Sequence, residues 1–129
     1  LFYPATNLAD SSTESHRDFG EGFFIGDTDM QGIRSLYVPD EKDWSHPYVS
    51  PLLAPDLSGL PPALIVTAGC DPLRDEGEAY AERLRTAGVR ARAIRYDDMI
   101  HAFLFLFKSS GSRREALEGA ASAMREALG

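Results

Sequence analysis

The feature that most limits how this chain can fold is the run Ala63-Leu64-Ile65-Val66-Thr67-Ala68-Gly69, which is almost free of polar side chains. It is rich in β-branched residues and bounded by Pro62 and by the turn Cys70-Asp71-Pro72-Leu73. Such a run reads as a strand covered on both faces, the habit of parallel sheets. Asp75 to Ala87 follows with helical spacing, placing Leu73, Gly77, Tyr80, Ala81 and Leu84 on one face. Asp75, Glu76 and Glu78 near its start suit the helix dipole, and Gly88 supplies the stop. Val89 to Tyr96 then sets Val89, Ala91, Ala93 and Ile94 among arginines, as a second strand does. Strand, helix, strand over Ala63 to Tyr96 is a βαβ unit, which implies parallel pairing.

In open α/β sheets the chemistry gathers at the C-terminal ends of the strands. Asp71 stands just past the first strand and His101 in the loop after the second, thirty positions apart but at one rim. A carboxylate so placed can hold an imidazole in one tautomer and stabilise its cationic form. Position alone leaves Asp71 equally readable as a turn or capping residue, and His101 as a structural histidine.

The remaining chain reads as follows. Leu1-Phe2-Tyr3 is a short buried strand cut off by Pro4. It has no lead-in, so the chain is expected to be a piece of a longer polypeptide. Asn7 to Arg17, rich in serine, is expected to be a loop. Thr28-Asp29 reads as the cap of a helix near Met30 to Tyr37. Pro39 to Pro62 holds six prolines and reads as a long surface connection. Asp97 to Phe107 is expected to be a loop. Ser112 to Leu128 reads as an amphipathic helix with Leu117, Ala120, Ala121, Met124 and Leu128 on its apolar face.

Length and charge bound the function. At 129 residues, without repeats or a linker, the chain suits part or all of one domain. The net charge of −7 and the lack of a basic stripe argue against nucleic acid. No run approaches the roughly 20 apolar residues of a membrane-spanning helix. The single Cys70 rules out an intrachain disulfide and a multi-cysteine metal site, and fits a cytoplasmic, reducing location.

Several stretches carry a family resemblance: Val49-Ser50-Pro51-Leu52-Leu53-Ala54, Ser58-Gly59-Leu60-Pro61-Pro62-Ala63, Cys70-Asp71-Pro72-Leu73-Arg74-Asp75-Glu76-Gly77 and Met99-Ile100-His101-Ala102-Phe103. Together they resemble the bacterial hormone-sensitive-lipase-like carboxylesterases of the α/β-hydrolase superfamily. The DPLRDEG stretch is the most specific of them. The resemblance implies an α/β-hydrolase fold, of which this chain is the C-terminal part: a mostly parallel sheet flanked by helices. It also implies Asp71 as triad acid, His101 as general base, a small-molecule ester substrate, and no metal or organic cofactor. The order Ser, Asp, His along the chain is that of α/β-hydrolases, and the last two members stand here in that order.

Two substitutions depart from the family's Gly-Met-x-His-Gly-Phe. Asp98 replaces a glycine and is expected to be costly wherever the turn needs φ > 0, while Ala102 is expected to be the milder change. No Gly-x-Ser-x-Gly elbow and no His-Gly-Gly-Gly loop occurs in the 129 residues. Ser109, Ser110 and Ser112 follow the histidine in a polar loop and do not qualify as nucleophiles. The chain is therefore expected to need the N-terminal half of its domain, and to be inactive alone.

Other candidates have plainer readings. Asp75 is expected to cap its helix, and the helix's glutamates and arginines to form a solvated face. His16 and His46 are expected to face solvent, and Cys70 to be a small buried hydrophobe. Phe19, Phe23, Phe24 and Tyr37 either line an acyl or alcohol pocket or pack as ordinary core. Phe103, Phe105 and Phe107 are expected to anchor the histidine loop. The rival to an esterase is a non-catalytic binding module, prone to dimerise through a cut sheet edge. A Rossmann-like or flavodoxin-like ligand binder lacks its Gly-rich phosphate loop here.

Overall fold

In the computed structural model, which describes residues 1–129, the apolar run forms strand β1 (Ala63–Cys70). The second strand, β2 (Ala91–Ile100), pairs with it in parallel. Helix α3 (Arg74–Thr86) connects the two. β1 lacks polar alternation because its side chains feed two cores. Ile65 packs with Leu57, Ala81, Leu84 and Val89 on the α3 side. Val66 and Ala68 pack with Tyr96, Phe103, Leu104 and Ala116 on the other. Gly88, at φ 81°, takes the left-handed conformation that ends α3.

The first residues lie along the other edge of β1. Val66 N donates to Leu1 O at 2.9 Å, and Tyr3 N donates to Val66 O at 2.6 Å. Phe2 makes a single parallel bridge there, so β1 is central in the sheet. The expected buried strand is thus one bridge long, and Leu1 is exposed. Pairing stops because Tyr3 turns at φ 34° and Pro4 has no N–H to offer.

Three further expectations need correction. Within the segment expected to be loop, α1 (Glu14–Phe19) forms; Thr13 Oγ1 caps it by accepting from His16 N at 3.3 Å. Ser and Thr favour both loops and N-caps, which is why composition misread it. Helix α2 (Asp27–Tyr37) begins before Thr28-Asp29, with Gly26 as its cap and Asp29 Oδ2 accepting from Gly26 N at 3.0 Å. β2 runs on through Asp97 to Ile100, and α4 (Phe103–Leu106) forms where loop was expected.

The final helix, α5 (Gly111–Leu128), is present, but of its expected apolar face only Ala120 and Ala121 are half-buried. Leu117, Met124 and Leu128 are exposed, and Ala116 is the residue it buries. Small residues sit toward the sheet: Gly119 and Ala123 border a cleft of about 490 Å³ shared with Ala63, Ala91 and Ile94. That cleft lies at the starts of the strands, the opposite end from Asp71. The Pro39 to Pro62 connection is irregular apart from turns at Glu41–Asp43 and Pro51–Leu53. Arg83 fastens it to α3 by donating to the Leu52 and Ala54 carbonyls.

Candidate active site

Asp71 and His101 meet at the C-terminal end of the sheet. Asp71 is 1% exposed. Its Oδ1 accepts from Leu73 N at 2.9 Å, and its Oδ2 lies 2.8 Å from His101 Nδ1. One oxygen is thereby fixed by the turn into α3 and the other addresses the imidazole. A carboxylate in that position accepts a hydrogen bond from Nδ1–H, the tautomer that leaves a lone pair on Nε2.

The register of the sheet explains how residues thirty positions apart meet. Ala68 pairs with Tyr96, but Cys70 pairs with Ile100. Unbroken register would have set Cys70 against Asp98 and Asp71 against Met99. Instead Asp97, Asp98 and Met99 bulge against Gly69 alone, and His101 moves into place beside Asp71. Gly69 makes room for the bulge: a β carbon there would lie 2.6 Å from both the carbonyl carbon and the Cα of Asp97.

The structure reverses the expected costs of the two loop substitutions. Asp98 lies in β2 without positive φ, whereas Ala102 takes φ 62°, ψ 18°. The left-handed residue is the one directly after His101, and alanine adopts it at a cost that glycine would not incur.

The aromatic candidates separate into two kinds. Phe19 and Phe23 stack edge to face at 5.0 Å. The Arg74 guanidinium lies 5.3 Å over the Phe19 ring and donates to Gly69 O at 3.1 Å, tying that pair to the end of β1. Phe24 and Tyr37 are exposed. Of the three phenylalanines after the histidine, Phe103 is buried and anchors the loop, while Phe105 and Phe107 are exposed. Cys70 is half-buried rather than buried. Asp75 does not cap its own helix. It binds α1 to α3, accepting from Ser15 N at 2.8 Å and from Arg74 Nε at 2.8 Å. Burial raises the Asp75 pKa, but these bonds outweigh it and hold the carboxyl below its ordinary range.

His16 was expected in solvent and is buried, at 3% exposure. Its Nδ1 lies 3.3 Å from Asp27 Oδ1, and its Nε2 lies 3.7 Å from Glu76 Oε2, an ion-pair distance. Glu76, expected on a solvated face, is 2% exposed. Its Oε1 accepts from Thr6 N at 2.5 Å and Asn7 N at 2.9 Å. Glu76 therefore clamps the segment after Tyr3 onto the helix that follows Asp71. A signal existed in the sequence: Glu76 lies three residues after Leu73 and four before Tyr80, on the apolar line of α3. His46 is exposed, as its loop suggested. No group of three or more His, Cys, Asp or Glu side chains is arranged to hold a metal ion, and no helix is long and apolar enough to cross a membrane.

Comparison with known proteins gives the fold family. Residues 1–105 match the α/β-hydrolase fold family. The chain is 42% identical to the carboxylic ester hydrolase LipN of Mycobacterium tuberculosis over 99% of its own length and 34% of that protein's. It is 45% identical to an arylesterase of Saccharolobus solfataricus over 74% of its length and 31% of the relative's. Among solved structures, the thermophilic carboxylesterase EstE1 from a metagenomic library superposes with a TM-score of 0.94 at 40% identity, covering 100% of this chain and 44% of that one. The Pyrobaculum calidifontis esterase does so with a TM-score of 0.92 at 41% identity, over 98% and 42%. The chain spans about a third of the length of these curated relatives. It belongs to the α/β-hydrolase fold family.

Proposed function

We propose that the protein carrying this chain hydrolyses carboxylic esters, with Asp71 and His101 as the acid and base of a Ser-Asp-His triad. The observation that carries the reading is the 2.8 Å bond between buried Asp71 and His101 Nδ1 at the end of two parallel strands. Relatives named as ester hydrolases support the reaction class. The nucleophilic serine and the oxyanion donors come, on this reading, from the rest of the domain, because no Gly-x-Ser-x-Gly occurs in these residues. His101 Nε2 takes the proton of the attacking hydroxyl, Asp71 stabilises the resulting imidazolium, and Nε2 returns the proton to the leaving alcohol. The serine–acyl bond forms as the ester's alkoxy bond breaks, and water then releases the acid. On this reading Phe19 and Phe23 contribute to an acyl or alcohol pocket, which their tie to the end of β1 through Arg74 supports.

The test is p-nitrophenyl ester turnover by the protein carrying this chain and its preceding segment, with fluorophosphonate labelling of the serine. His101→Ala and Asp71→Asn should each cut turnover by about 10³-fold or more. Wild-type turnover in either variant would overturn the assignment. Appreciable turnover by these 129 residues alone would overturn the external serine.

A further inference from the structure

We propose that Tyr3 is a positioning residue for His101, its ring holding the imidazole against Asp71 and stabilising the imidazolium; this rests on the reading of His101 as the base. The Tyr3 and His101 rings lie 4.7 Å apart between centroids, tilted by 57°. A cation within about 6 Å of an aromatic centroid is attracted by the negative ring face, and the effect grows where water is kept out. In the reaction His101 becomes a cation when it takes the nucleophile's proton. The Tyr3 contact therefore strengthens at the moment the charge appears, which is the requirement for accelerating the step.

The ring is held on its other sides. Phe103, wholly buried, meets it edge to face at 6.0 Å and is itself 5.4 Å from Tyr96. The backbone of Tyr3 sits at φ 34°, a conformation that an aromatic residue adopts only under constraint. The constraints lie on both sides of it. Tyr3 N is bonded to Val66 O at 2.6 Å. Thr6 and Asn7 are bonded to Glu76, whose helix starts just after Asp71. Pro4 lies against Gly77 between those anchors. The strained turn thus aims one ring at the imidazole from a strap fixed at each end. Burial, and next the charge of Asp71, hold the Tyr3 phenol above its ordinary pKa, so the ring beside the imidazole stays neutral rather than becoming a second anion.

The role belongs to the ring and not to the hydroxyl, which makes the test direct. Tyr3→Phe, Tyr3→Leu and a series of ring-fluorinated phenylalanines at position 3 are compared in the esterase-competent protein. Fluorination drains negative charge from the ring face at nearly constant shape, so these proteins fold even if Tyr3→Leu does not. The expected result is full activity for Tyr3→Phe, within about twofold. A graded loss of kcat should follow with added fluorine, reaching about three- to tenfold with KM unchanged. The acid limb of the pH–rate profile should move to lower pH in step, by about half a unit, as the imidazolium loses its partner. A flat series, or Tyr3→Phe as damaging as Tyr3→Leu, overturns the proposal. His101→Ala is the control that separates the two readings. If it keeps wild-type turnover, the base assignment fails and Tyr3 with it. If it abolishes turnover while the fluorinated series stays flat, the inference about Tyr3 alone fails.

Discussion

Gly69 and Asp97 touch backbone to backbone, so that any β carbon on Gly69 would fall inside the Asp97 peptide unit. The contact sits at the point where three residues of β2 oppose one of β1, the bulge that carries His101 into line with Asp71. Gly69→Ala must push the bulge outward, and overpacking of this kind costs about 1–3 kcal/mol. Because the displaced segment leads straight to His101, activity should fall far more than stability. We expect ester turnover to drop about 10²-fold or more in protein that is still folded by circular dichroism. Turnover within a few-fold of wild type would show that the bulge does not set the pair.

Much of this arrangement can be read from residue pattern, and the limits have physical causes. β1, α3 and β2 each carry a periodicity that local sequence expresses, so the βαβ unit and the shared rim of Asp71 and His101 follow from it. The bulge is not visible in that way. Regular register would have put Met99, not His101, beside Asp71, and what breaks it is the close approach of two backbones at Gly69. The same bulge keeps Asp98 in extended conformation and passes the left-handed turn to Ala102, reversing the expectation drawn from the family's motif. His16 and Glu76 were misread because burial of a polar side chain depends on its distant partners, here Thr6, Asn7 and Asp27. The apolar character of Leu117, Met124 and Leu128 on α5 is legible in the sequence, but their exposure is not.

Ala102 stands at φ 62° directly after His101. An L-residue in this region costs about 1–2 kcal/mol, offset in part for glycine by the entropy it loses on folding. Ala102→Gly should therefore stabilise the protein by about 0.5–1 kcal/mol, raising the thermal midpoint by a few degrees. Differential scanning calorimetry would check it. A lower midpoint would mean that the alanine methyl makes a contact worth more than the strain.

Glu76 closes the strap over the acid loop through bonds to Thr6 N and Asn7 N, with His16 on its other oxygen. Glu76→Ala leaves two backbone donors without their acceptor and removes one of the two carboxylates beside buried His16, and should destabilise by about 3–5 kcal/mol. Glu76→Gln keeps an acceptor of the same shape and should cost less, about 1–2 kcal/mol. Urea unfolding of both variants gives the comparison. Limited proteolysis should cut Glu76→Ala first between Pro4 and Phe19. Equal losses in the two variants would mean that charge, not the acceptor, holds the strap.

The pH dependence of His16 gives the last test. The nearby Glu76 carboxylate raises its pKa above the ordinary 6.5, burial opposes this, and Asp27 adds to the rise. The groups facing it are Glu76 from α3 and Asp27 from α2, with Asp10 near enough to feel its charge. A raised pKa in the fold means that the native state holds the proton more tightly than the unfolded chain does. The stabilisation is then fully present below the unfolded value and disappears as pH rises through the folded one. His16→Asn should cost about 1.5–3 kcal/mol near pH 5.5, as for a charge-assisted bond, and markedly less near pH 9. Chemical denaturation of wild type and variant across this range measures the gap directly. A gap that is constant or widens with pH would show that His16 is buried neutral, and that its contacts with Glu76 and Asp27 hold no ion pair.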